Sequence, residues 1–391
     1  MYPNIAAVLF CQGHKDTAKG WVGLLRCLAN LCLMQRTALY AAHLQAGGRM
    51  VPFAGWEMPV QYAGILQEVQ AVRQRWGVFD VSHMARAYFR GADARAFLSR
   101  LVPSDLGKVA PMTGQYTVLT NERGGVVDDI ILYERAPDEY LMVFNAANRQ
   151  KDLDWFHRWR GEWGMGVQID DQTEQTVMLA VQGPEATARL SALLGAPLGE
   201  TPRFGATFVE WQGIRVFAAR TGYTGEDGFE LIAPAEAGVR LWDALLTAGA
   251  TPCGLGARDV LRTEAGLHLY GHELTDDTNP IEAGLGWLVS ERIDYIGAAA
   301  IAQAKQHGVA RKLMGVRLTE RGVPREGYPV CIDGAPVSTL TSGVYSPTLE
   351  QGIGMAYLPT EYAKAGTPCA VEIRGKAVPA VVSTRRFLKG G

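Results

Sequence analysis

The sequence predicts an α+β protein that ends in a small antiparallel barrel or sandwich. Two observations carry this. From Thr37 to about His307, short apolar strands alternate with amphipathic helices, and hairpins lie between them. From about Lys312 the texture changes to short β-rich runs broken by Gly and Pro. The 391 residues (42.5 kDa) suffice for roughly two or three domains with a sizeable core.

In chain order, Thr37 to Ala46 reads as a short helix closed by Gly47-Gly48. Met50 to Tyr62 (MVPFAGWEMPVQY) is aromatic and carries proline, so it is a structured loop or short strand. Ile65 to Trp76 has helical spacing and stops at Gly77, and Val78 to Met84 resumes as a strand. His83 within it reads as a satisfied core histidine more readily than as a base. Ala92 to Leu101 is helical, ended by Pro103, and Gly114 to Thr120 is a strand.

The organising stretch is Asn121 to Asn148, two apolar runs flanking a polar turn. Asp128 and Asp129 sit inside its first strand. Alternation sends one of two neighbouring strand residues to solvent and the other inward. An inward carboxylate is costly without a partner or a task. The residues alone leave two readings: aspartates that satisfy backbone groups near a bulge, or one functional carboxylate. Gly124 and Gly125 permit a tight turn or a close backbone approach by a ligand.

Asp152 to Trp163 is a helix whose three tryptophans serve packing, Val177 to Val181 a buried strand, and Glu185 to Leu194 a helix. Arg220 to Glu230 (RTGYTGEDGFE) is glycine-rich. It fits neither a phosphate-cradling nor a dinucleotide-binding pattern, but Tyr223 and Glu230 could reach a ligand. A helix over Ala237 to Ala248 follows. Gly256 to Gly266 then carries Arg258, Asp259 and Glu264, residues suited to an ion pair or cap, or, for Arg258, to a ligand carboxylate. Ile296 to His307 is helical and leads to the β-rich tail.

A formal net charge of −2 and a pI of about 6.4 give no electrostatic footprint for nucleic acid or an anionic membrane. The six cysteines show no C-x-x-C or metal spacing and suit a reducing compartment. His268 and His272 lack the glutamate of a zinc-protease helix, so no metal is expected. Residues 1–34 differ in texture. They are too short in apolar run to span a bilayer and carry no clear signal peptide, so the expectation is a non-native or disordered extension, with Met34 as the functional start.

Taken together, MVPFAGWEMPVQY, VFDVSHM, TNERGGVVDDIILY, FNAANRQKDL, LAVQGPEA, RTGYTGEDGFE and GLGARDVLRTEAGLHLYGHEL resemble the glycine-cleavage T-protein family of tetrahydrofolate-dependent aminomethyltransferases. The resemblance implies two folate-binding α+β subdomains around a central hole (residues 35–295) and a carboxy-terminal β-barrel (residues 310–389). It implies transfer of a one-carbon unit from the aminomethyl-lipoyl arm of the H-protein to tetrahydrofolate in glycine catabolism, in the cytoplasm or in the mitochondria of a eukaryote. No nucleic-acid, membrane or metal partner is implied. Asp129 matches the family's catalytic carboxylate. Met84, Tyr116 and Asn145 match the pterin side of the pocket, and Tyr223, Glu230 and Arg258 the pterin edge and glutamate tail. The tail TRRFLKGG departs from the family at Arg386, where proline is usual, and nothing is carried over from it. Folate-dependent demethylases share the fold. So does a folate-binding paralogue, whose cysteine-bearing K-G-C-Y motif is here R-T-G-Y.

Overall fold

The computed structural model describes residues 34–388. Residues 1–33, which carry nearly all of the expected extension, lie outside them. Among the described residues, no helix is long and apolar enough to cross a membrane.

Two large sheets and a barrel make the architecture, with a small three-stranded sheet in the order Gln35–Arg36, Trp56–Gln61 and Arg49–Phe53. The first sheet has five antiparallel strands, in the order Thr113–Thr120, Val126–Ala136, Glu139–Phe144, Ala85–Arg90 and Gln168–Asp171. The second has six, in the order Ala206–Trp211, Ile214–Ala219, Gly228–Pro234, Thr176–Gln182, Gly77–Asp80 and Thr251–Pro252, antiparallel except at its last pair. A closed antiparallel barrel follows, formed by Arg311–Leu318, Gln351–Pro359, Ala335–Ser346, Pro329–Ile332, Pro368–Ile373 and Lys376–Ser383.

Period-two alternation sorts the strand residues into two kinds of core. In Thr176–Gln182, Val177, Leu179 and Val181 pack outward beneath helices Ala186–Leu194 and Gly238–Thr247, while Met178 and Ala180 face a central cluster. In Glu139–Phe144, Tyr140, Met142 and Phe144 pack under helices Ala94–Leu101 and Arg149–Trp163, while Leu141 and Val143 face the same central cluster. Barrel residues Leu313, Val344 and Met355 complete it. Each large sheet is therefore covered on both faces, and its inner face looks at the other large sheet and the barrel.

The proline-bearing stretch after Gly48 is a hairpin of Arg49–Phe53 and Trp56–Gln61. Its turn places Ala54 and Gly55 at φ 49° and 81°, the left-handed pair that matches strand twist. Ala85–Arg90 also forms a strand, which the sequence hides. Arg86 interrupts its apolar pattern, yet is fully buried and donates to the carbonyls of Ser82, Met84, Thr173 and Thr176. A buried arginine with satisfied donors occupies what looks like a solvent position.

Candidate functional site

The site grows from the long strand Val126–Ala136. A bulge near Thr120 shifts its register, after which Asp129 lies opposite Val118 and shares a face with Ile131 and Tyr133. That face is the central one. Asp128 points the other way, but it does not reach solvent. Helix Arg149–Trp163 covers it, and its exposure is 0%. The expectation of one solvent-facing aspartate fails because this sheet is buried on both sides.

The two carboxyls sit in different surroundings. Asp128 accepts hydrogen bonds from the Asn145 backbone N–H (2.9 Å), Asn145 Nδ2 (2.8 Å) and Asn148 Nδ2 (2.6 Å). It is the structural carboxylate beside a bulge. Asp129 accepts from Asn145 Nδ2 at 2.8 Å and from the Tyr116 hydroxyl at 3.1 Å. Burial, reinforced by the Asp128 charge, pushes Asp129 up to about 7, while the bonds from Asn145 and Tyr116 oppose the rise. Tyr116 is raised well above its ordinary value, by burial and by the Asp129 charge, so it keeps its proton and stays a donor. A half-buried carboxyl group poised near neutrality can hold or release a proton and acts on developing positive charge.

Tyr223 and Arg258 form a second group. The Arg258 guanidinium lies 4.7 Å from the Tyr223 ring centroid, and the tyrosine hydroxyl donates to the His268 carbonyl. Arg258 is positioned by helix Leu255–Glu264, and its Nη1 is buried without a hydrogen-bond partner among the described residues. Glu230 is held on strand Gly228–Pro234 by the Thr221 hydroxyl (2.7 Å), and burial raises its carboxyl. The Asp129 charge helps to raise both Tyr116 and Tyr223, so the second group lies within electrostatic reach of the first. Met84 packs against the central cluster as part of its wall. The structure thus gathers Met84, Tyr116, Asp129, Asn145, Tyr223, Glu230 and Arg258 on the inner faces.

Other residues at this place escape the sequence. The Trp287 ring stacks on Tyr116, with centroids 6.4 Å apart and planes at 26°, and is 69% exposed. Arg385 reaches back from the tail to donate to the Gly266 carbonyl (3.0 Å) and to the His268 ring (3.1 Å), while Phe387 anchors the tail in the central cluster. The returning path of the tail is a tertiary fact that no local sequence pattern encodes. Gly124 and Gly125 serve the chain itself. A Cβ on Gly125 would lie 1.8 Å from the Asp276 carbonyl oxygen, so the close backbone approach there is made by the 275–279 loop. His83 is fully enclosed edge-to-face with Phe53, and burial lowers it to about 3, so it is a neutral core residue.

Residues 39–292 match the GCVT N-terminal domain family, and residues 311–389 the glycine cleavage T-protein C-terminal barrel domain. The chain belongs to the glycine cleavage T-protein family of aminomethyltransferases. It is 48% identical over 358 residues to the aminomethyltransferase of Synechococcus sp. (strain RCC307), covering 91% of this chain and 99% of that one. It is 49% identical over 365 residues to the aminomethyltransferase of Synechococcus sp. (strain CC9902), covering 91% and 100%. The crystal structure of glycine cleavage system aminomethyltransferase T from Bartonella henselae superposes with a TM-score of 0.85 at 34% identity, over 91% of this chain and 98% of that one. The two sheets and closed barrel described above are therefore the family fold, and the inner-face residues lie within a family-matched region.

Proposed function

We propose that this aminomethyltransferase uses tetrahydrofolate as the acceptor and the lipoylated H-protein of the glycine cleavage system as the aminomethyl donor. In this reading the products are 5,10-methylenetetrahydrofolate, ammonia and dihydrolipoyl H-protein, formed in the cytoplasm. Residues 35–295 form the folate-binding region, and residues 310–389 the barrel that closes it. The observation that carries the reading is the half-buried Asp129, fixed by Asn145 and Tyr116 on the face that also presents Tyr223, Glu230 and Arg258.

A reduced folate offers an aromatic pterin, hydrogen-bonding ring edges and a carboxylate tail. Tyrosines, acids and an arginine with an unused N–H are the groups that bind such a ligand. Asp129 orients the pterin and, as a fixed carboxylate, stabilises the positive charge that develops when a folate nitrogen attacks the aminomethyl carbon. Met84, Tyr116 and Asn145 line the pterin side. Glu230 binds the ring nitrogens, while Tyr223 packs on the pterin edge. Arg258 has the charge and the free donor for the glutamate tail.

The test is an assay of methylenetetrahydrofolate and ammonia formation from aminomethylated H-protein, alongside Asp129→Ala. Turnover that requires tetrahydrofolate, and collapses in the variant while folate binding persists, is the expected result. Folate binding with no turnover on that donor refutes the donor assignment.

A further inference from the structure

Beneath Asp129, on the outer face of the same sheet, lies a carboxyl group that the proposed mechanism does not use. Asp152, in the first turn of helix Arg149–Trp163, is 0% exposed. Neither of its oxygens meets an N–H or O–H donor among the described residues. The neighbouring acid is Asp128, also 0% exposed, and each carboxyl is perturbed by the other. Two neighbouring buried carboxyl groups cannot both be ionised, so the pair holds a proton. Geometry decides which member holds it. Asp128 accepts three N–H bonds, from Asn145 and Asn148, and these favour its anion. Asp152 accepts none. The proton therefore resides on Asp152, whose O–H donates to Asp128.

This arrangement reaches the inner face through one side chain. Asn145 Nδ2 lies 2.8 Å from Asp128 Oδ1 and 2.8 Å from Asp129 Oδ1. Its two amide hydrogens thus serve the two carboxylates, and an anionic Asp128 dictates the amide orientation that presents a donor to Asp129. We propose that Asp152 is a positioning residue for the proposed transfer reaction: as a permanently protonated acid it keeps Asp128 anionic, and Asp128 in turn locks Asn145 and charges the surroundings of Asp129. The charged and titratable groups facing this cluster are Lys151 on the same helix, Asp276 and Tyr270 on the adjoining loop, and Tyr116 and Tyr223 across the inner face. Lys151 donates to the Val127 carbonyl (2.6 Å) and the Tyr270 hydroxyl (2.7 Å); its charge favours the Asp152 anion, but burial and the Asp128 charge outweigh it and raise the carboxyl.

The inference rests on the proposed role of Asp129, and the experiment separates the two. Difference infrared spectra of the folded protein at pH 8 read the pair without any activity. A protonated-carboxyl band in wild type that is lost in Asp152→Asn, and kept in Asp129→Asn, supports the proton assignment; no such band in wild type overturns it. Transfer kinetics then read the coupling. Asparagine at 152 still donates to Asp128, so Asp152→Asn is expected within about three-fold of wild type, with the same acid limb in kcat/KM. Asp152→Leu removes the donor, and the buried Asp128 takes up the proton itself. Transfer then falls roughly ten- to a hundred-fold as Asn145 loses its anionic anchor. The acid limb moves to lower pH because the charge that raises Asp129 is gone. A folded Asp152→Leu with the wild-type limb, or an Asp152→Asn as impaired as the leucine variant, overturns the positioning role. A confirmed band in a protein that transfers nothing from aminomethylated H-protein counts against the proposed donor, not against the pair.

Discussion

Replacing Tyr116 with phenylalanine removes one hydrogen bond from Asp129 and leaves the ring stacked on Trp287. The bond spans 3.1 Å. A hydroxyl-to-oxygen bond is typically about 2.7–2.8 Å, so this one belongs at the low end of the charge-assisted range, about 1.5 kcal/mol. Since one pKa unit is worth about 1.36 kcal/mol, its loss raises Asp129 by about one unit. The sign follows from which form the bond favours. Tyrosine donates to the carboxylate, so its removal favours the acid, and the carboxyl rises from about 7 to about 8. Where transfer requires the carboxylate, the ionised share at pH 7 then falls about five-fold, and the variant converges on wild type above about pH 9. The assay is methylenetetrahydrofolate formation, with kcat/KM followed across pH, since that ratio reports the free enzyme. An acid limb that stays in place refutes the reasoning. So does a loss of equal size at every pH, which would mean that Tyr116 binds folate without tuning Asp129.

Arg258→Ala removes a cation whose Nη1 has no partner among the described residues, so tetrahydrofolate affinity should fall by about 1.5–3 kcal/mol, roughly ten- to a hundred-fold, with little loss of thermal stability; fluorescence titration measures it, and unchanged affinity would dismiss Arg258 as the tail anchor. Glu264→Gln breaks a fully buried carboxylate that ties Arg73 (2.7 Å) to the barrel hydroxyls of Ser346 (2.5 Å) and Thr348 (3.0 Å), and should destabilise the fold by about 3–5 kcal/mol; a wild-type unfolding temperature would show the network to be dispensable. His83 and His268 are both lowered to about 3, chiefly by burial. The folded state therefore binds fewer protons than the unfolded one, so their stabilisation is complete above about pH 6.5 and is lost as pH falls toward 3. Thermal unfolding temperature should decline across that window, and His83→Gln should flatten part of the decline.

Much of the fold is legible because its elements carry local signatures. Helix Ile65–Gln74 has apolar spacing and a glycine stop, and the tail strands Pro329–Ile332 and Pro368–Ile373 are bounded by turn residues. The strands that escape are those whose polar residues are satisfied by distant parts of the chain. Arg86 draws on carbonyls of Thr173 and Thr176, so Ala85–Arg90 looks too charged to be buried. Ala206–Trp211 and Ile214–Ala219 are recognisable in retrospect as a tight hairpin, since Gln212 and Gly213 both take positive φ.

The candidate site is legible to a different depth. Asp129 can be singled out because a carboxylate within a β-branched run needs a reason, and a known family's motifs name the reason. What no local pattern supplies is the second carboxyl behind it. Asp128 and Asp152 are 24 residues apart, in a strand and in a helix that reads as an ordinary tryptophan-bearing packing element. An aspartate near a helix start is expected to face water and favour the helix dipole. Only the covering of the outer face turns it into a buried acid, and only the count of donors, three on Asp128 and none on Asp152, places the proton. The sheet that sequence alternation divides into an inside and an outside has two insides. A charge held on one of them sets the state of the carboxyl on the other through the single amide of Asn145.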